Sequence, residues 1–165
     1  MRWLIDGYNV IRRDPDLRAR EAESLEAGRA ALLAVLARVA AEVSDIFTVV
    51  FDGARRSGGS ASPGRVQVLF SRPPETADDV LRRLAGTLRE GAVVVTSDRA
   101  VQDSARRAGA VAVGAEAFLE AAWGTADDPD DAEDSEARPP QGGPSRRPSR
   151  DVRAAQRVLR RLRHR

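Results

Sequence analysis

Cysteine is missing from this 165-residue chain, so neither a disulfide framework nor a thiolate metal site is open to it. Lysine is missing as well. All 27 basic residues are arginines, and each is a planar, permanently charged fork suited to phosphate. Aromatic residues make up only 4%, and the one histidine, His164, stands next to the last position. An imidazole general base is therefore not expected. No apolar run approaches the roughly 18 residues of a membrane span. The first apolar run begins at residue 2, so a signal peptide is not expected. Together these absences lead to the expectation of a cytoplasmic protein with no membrane partner.

What is present suffices for one domain with a sizeable core, since 42% of the residues are apolar. The net charge of +2 conceals a separation. Residues 1–126 hold 17 arginines against 17 acids, residues 127–137 hold seven acids and no base, and residues 138–165 hold ten arginines and one acid. The tail is an electrostatic object of its own.

Five short runs rich in valine and isoleucine mark strands at 2–5, 46–51, 66–70, 92–96 and 110–113. Such near-continuous apolar runs suit a parallel sheet covered on both faces. Helical periodicity lies between most of them. Residues 24–43 place Leu25, Leu32, Leu36, Val39 and Val43 on one face, and 76–89 place Val80, Leu81, Leu84 and Leu88 on another. Residues 98–108 and 115–122 are shorter helices. The alternation predicts a three-layer α/β/α sandwich over 1–123. Residues 124–150, an acidic run followed by PPQGGPSRRPS, are expected to be a linker without order of its own. Residues 151–165 read as a basic helix with a thin apolar stripe of Val152, Val158, Leu159 and Leu162. That helix is open to three readings: contact with nucleic acid, docking on the domain, or masking by the acidic run.

Acids recur at the ends of these strands. The first strand ends in Asp6 within RWLIDGYNVI, the second in Asp52 within VVFDG, and the fourth in Asp98 within VVVTSD. The helix after the third strand opens with Glu75-Thr76-Ala77-Asp78-Asp79. In a parallel sheet these ends share one edge, which is where ligands bind. Each acid also has a plainer reading. Asp6-Gly7 and Asp52-Gly53 are turn pairs, and Asp98 is a favourable helix-start acid. Asp79 completes a capping box with Thr76, and Asp103 reads as a solvated face residue. Taken jointly, Asp6, Asp52, Asp78 and Asp98 are expected to converge, with Asn9 close to Asp6. Clustered carboxylates repel one another unless a cation reconciles them. An all-oxygen set selects Mg²⁺ or Mn²⁺, which points to a metal-dependent phosphodiesterase or phosphatase.

Taken in order, LIDGYNVI, VVFDG, ETADD and VVVTSDRAVQD resemble the NYN-domain, PIN-like ribonucleases, most closely the YacP-like branch, over residues 1 to about 123. The resemblance implies a five-stranded parallel sheet in the order 3-2-1-4-5 and a divalent-metal-dependent endoribonuclease. It implies metal ligation by Asp6, Asp78 and Asp98, with Asp52 from the second strand and Asn9 near the first. It also implies a link to mRNA cleavage on the ribosome. Single-stranded RNA is the expected substrate and partner, with Arg55, Arg56, Arg65, Arg72 and Arg99 holding its backbone and Tyr8 stacking on a base. The competing expectation is a PIN-like module that binds RNA or the ribosome and turns nothing over.

Overall fold

In the computed structural model, which describes residues 1–53, 64–124 and 149–164, strands and helices alternate along the chain. The described elements are β1 (Arg2–Asp6), α1 (Gly7–Arg13), α2 (Pro15–Glu23), α3 (Leu25–Glu42), β2 (Ile46–Phe51) and β3 (Val66–Phe70). They continue with α4 (Ala77–Leu88), β4 (Ala92–Val95), α5 (Arg99–Arg107), β5 (Val111–Val113), α6 (Ala115–Trp123) and α7 (Arg150–Arg163). All four strand pairings are parallel, in the order β3-β2-β1-β4-β5. This is the PIN-like sandwich that the sequence predicts.

The two faces of the sheet follow from the two-residue period of a strand. Trp3, Ile5, Phe47, Val49, Val93 and Val95 point to one core, shared with α1, α3, α6 and α7. Leu4, Val50, Val94 and Ala112 point to the other, covered by α4 and α5. Every strand start therefore lies on one edge of the sheet and every strand end on the opposite edge.

Local signals set the helix starts. Ser24 Oγ accepts from the Ala27 N–H at 3.0 Å and opens α3. Thr76 and Asp79 form the capping box of α4, and its two hydrogen bonds from Thr76 hold the Asp79 carboxyl below its usual range. The strand and helix periods predicted no element between residues 7 and 23, where α1 and α2 lie. Asp14 accepts from the Asp16 and Leu17 N–H groups, both at 2.9 Å, ahead of Pro15. That Asp-Pro start signal was legible.

The basic helix is a packed part of this domain. Val158 and Leu162 of α7 are buried in the core that holds Trp3, Phe47 and Phe118, whereas Val152 stays exposed. At the strand starts, the buried Asp45 carboxylate accepts from the Met1 ammonium at 2.8 Å and from Trp3 Nε1 at 3.0 Å. Burial pushes this carboxyl up, but those two hydrogen bonds outweigh it and hold it below the usual range. No described helix is long and apolar enough to cross a membrane.

Candidate functional site

The site begins at the junction of β1 and α1. The chain passes from strand to helix without a loop because residue 7 has no side chain: a Cβ there would collide with the ring of Phe51. Asp6 therefore stands at the last position of β1 and directly before α1, and its carboxylate makes no capping bond to that helix. Instead, Asp6 Oδ2 accepts from Thr96 Oγ1, just beyond β4, at 3.1 Å. Burial pushes the Asp6 carboxyl up to about 6. The charges of Asp78 and Asp98 add to the rise, against the hydrogen bond from Thr96.

The other acids arrive from separate junctions. Asp98 caps α5, its Oδ1 accepting from the Val101 N–H at 3.1 Å. Its own N–H donates to Thr96 Oγ1 at 3.2 Å, so one hydroxyl ties Asp98 to Asp6. Asp78 lies in the first turn of α4. Its carboxyl is raised by burial and then by the charge of Asp98, with Arg82 opposing and Asp52 adding to the rise. Asp52 Oδ1 accepts from Ser71 Oγ at 2.6 Å and from the Ala77 N–H at 3.1 Å. Asp52 thus clamps the end of β3 and the start of α4, and so positions Asp78 on the next residue. Gly53 follows with φ of +102°, a left-handed turn that suits glycine.

These acids line one cavity of about 700 Å³ at the carboxyl edge of the sheet, together with Asn9 and Tyr8. Asn9 Oδ1 accepts from the Ser97 N–H at 2.8 Å, which braces the turn that carries Asp98. The Tyr8 ring packs against Phe51 at 5.1 Å between centroids, with the Arg12 guanidinium 5.5 Å above its centre.

The arginines fall differently from the sequence expectation. Arg65 lies immediately before β3, at the amino edge, where its guanidinium donates to the Val43 carbonyl at 2.6 Å at the end of α3. The loop after Asp52 has to return to that edge because β2 and β3 are parallel. Arg65 is therefore removed from the acidic site. Arg72 and Arg99 are exposed near the carboxyl edge but do not line the cavity. Arg55 and Arg56 lie outside the described residues.

Arg12 and Arg13 do line it, and neither was expected to. Arg12 pairs with Glu21 at 3.3 Å, and Arg13 pairs with Glu116 at 3.0 Å. Glu116 in turn accepts from Ser97 Oγ at 2.9 Å, so Asn9, Ser97, Glu116 and Arg13 form one chain around the rim. The signal for these arginines was helical spacing: Asn9, Arg12 and Arg13 share one face once 7–13 is a helix. Asp103 pairs with Arg106 at 2.9 Å on the surface of α5.

Carboxylate oxygens and one carboxamide, without sulfur or imidazole, are a donor set that fits a hard dication. Among the described residues no three acids already form a metal cage. An ion here would be held by carboxylates not yet gathered into a cage, with water or phosphate oxygens completing its shell, as Mg²⁺ ordinarily does.

A PIN-like parallel sheet with acids collected at its carboxyl edge defines a protein of nuclease-type fold. The chain belongs to the YacP-like NYN domain family, which matches residues 3–161. The match extends past residue 123, where the sequence resemblance stops, and takes in most of α7. The crystal structure of Rae1 (YacP) from Bacillus subtilis is similar at 31% identity and a TM-score of 0.65, over 74% of each chain. A second crystal structure of that protein, of a tryptophan-to-leucine mutant, gives 30% and 0.62, again over 74% of each. The uncharacterized protein YacP of Bacillus subtilis (strain 168) is 35% identical over 100 residues, 58% of this chain and 59% of the relative. The match thus spans about three-fifths of that curated relative's length.

Proposed function

We propose that this protein is a divalent-metal-dependent endoribonuclease that cleaves single-stranded RNA, with mRNA on the ribosome as its setting. One observation carries the reading: Asp6, Asp78 and Asp98, from three separate strand–helix junctions, line one cavity and bear on one another's charge. These three would hold Mg²⁺ or Mn²⁺. Asp52 would add a further oxygen while it clamps α4. The ion, when bound, supplies polarisation of a phosphoryl oxygen and a bound water of lowered pKa.

The chain's own residues do the rest. Asn9 holds the turn before Asp98. Arg12 and Arg13 set positive charge at the cavity rim, where guanidinium forks position a phosphate backbone without reading its sequence. Tyr8 offers a ring for base stacking. His164, the only histidine, caps the far end of α7, so no imidazole takes the proton.

The test is cleavage of single-stranded RNA by purified protein with Mg²⁺ or Mn²⁺. Asp98→Asn is expected to lower the rate at least about 100-fold, since even outer partners of a metal are worth up to that much. Its circular dichroism should not change. Cleavage that persists in EDTA would overturn the mechanism.

A second reading, a PIN-like module that binds RNA or the ribosome without turnover, draws on the engagement of Asp52 with Ser71 and Ala77. RNA binding with no cleavage across a full metal titration would favour it.

A further inference from the structure

A row of arginines stands at the edge of the sheet that the acidic cavity does not use. The first turn of α7 lies beside Gly109–Ala112, at the start of β5. Near its other end, Arg161 reaches Met1 Sδ at 3.5 Å and Asp45 at 4.0 Å, at the starts of β1 and β2. Since the strands are all parallel, α7 crosses the amino edge, with Val158 and Leu162 holding it down.

Its outer face carries Arg150, Arg153, Arg157 and Arg160, all exposed. Spacings of three, four and three residues keep them on one side of the helix, over about 15 Å at 1.5 Å per residue. They border two shallow grooves of about 260 and 400 Å³. Among the described residues none of the four has a carboxylate partner, in contrast to Arg161 with Asp45 and Arg163 with Glu120.

We propose that this arginine face is a second phosphate-binding surface for RNA, set on the sheet edge opposite the acidic cavity. The inference deepens the reading of the chain as a protein that acts on RNA, and it rests on that reading. Planar forks in a row match a chain of phosphates. A protein partner fits less well, because protein interfaces carry an apolar or aromatic centre. Ala154 and Gln156 stand among these arginines, no aromatic side chain does, and Val152 is the one large apolar side chain that α7 exposes. A strand held at α7 and cut at the acids must run from one edge of the sheet to the other. The surface therefore selects substrates long enough to span the domain.

The experiment measures binding of a long single-stranded RNA to the full chain over a range of salt, without divalent ions. A variant with Arg150→Gln, Arg153→Gln, Arg157→Gln and Arg160→Gln is compared with one carrying lysine at the same four positions. Glutamine and lysine are both good helix formers, so thermal melts should keep α7 docked. The glutamine variant should bind at least tenfold more weakly at low salt. Its log-log salt slope should fall by up to about 3, at roughly 0.7 per phosphate contact. The lysine variant should keep most of the slope.

An unchanged slope in the glutamine variant overturns the proposal, as does wild-type protein that binds no RNA. Displacement of RNA by polyglutamate of matched charge, as readily as by RNA itself, would assign the face to acidic polypeptides and overturn it too. Binding through α7 by a protein that never cleaves would sink the nuclease reading and leave this surface standing. Cleavage by a protein whose glutamine variant binds unchanged would do the reverse.

Discussion

At the scale of the residue, Asp6 holds a charge that folding disfavours. Its carboxyl moves from 3.8 to about 6 in the folded chain, chiefly through burial. The folded state therefore binds this proton more tightly than the unfolded state does. Stability from Asp6 is present below pH 3.8 and is lost as pH rises through about 6. Asp6→Asn should raise the unfolding free energy by roughly 1–3 kcal/mol at about pH 8, and by little at about pH 4. Urea unfolding in EDTA at the two pH values checks this. The gain should come with loss of RNA cleavage, the usual exchange at a site that keeps charge buried for use. A variant less stable than wild type at the higher pH would show that Asp6 is held by its hydrogen bond to Thr96 more than it is penalised by burial.

At the scale of the element, α4 and α5 carry their acids because their first turns are pinned. Thr76→Ala removes the hydroxyl that accepts from the Asp79 N–H at 3.3 Å and donates to the Asp79 carboxylate at 3.0 Å. It should destabilise the protein by about 1 kcal/mol, read as a lower thermal midpoint at neutral pH. The strands and the helices from α3 onward were legible from periodicity, because a buried parallel sheet leaves unbroken runs such as Ile46–Phe51. So was the shared edge of the acids, since parallel strands force it.

The remainder was harder to read. Helix α1 starts at the glycine of what reads as a turn pair, and the reason is a ring from a different strand, Phe51 against Gly7. Without α1, nothing placed Arg12 and Arg13 beside Asn9. The double duty of Asp52, acid and clamp, depends on Ser71 from a neighbouring strand end, a contact that no local pattern encodes. Arg65 falls at the amino edge, away from the acids, because the connection between two parallel strands has to touch both edges of the sheet.

At the scale of the molecule, the domain includes its C-terminal helix. Leu162 is 1% exposed and shares a core with Trp3 and Phe118. Leu162→Ala should destabilise the whole fold by about 2–5 kcal/mol, measured by denaturant unfolding. Detachment of α7 alone, with one cooperative transition left unaltered, would instead mean that the helix contributes no stability to the sheet.

The same docking gives the molecule a polarity. With a fixed row of guanidinium groups behind the sheet and carboxylates in front, it behaves as an electric dipole that turns in the field of a polyanion. On the proposed function, the end that meets RNA first is the end that does not cut. Capture and scission would then be events at separate places, and a strand would have to be threaded past the body of the protein between them.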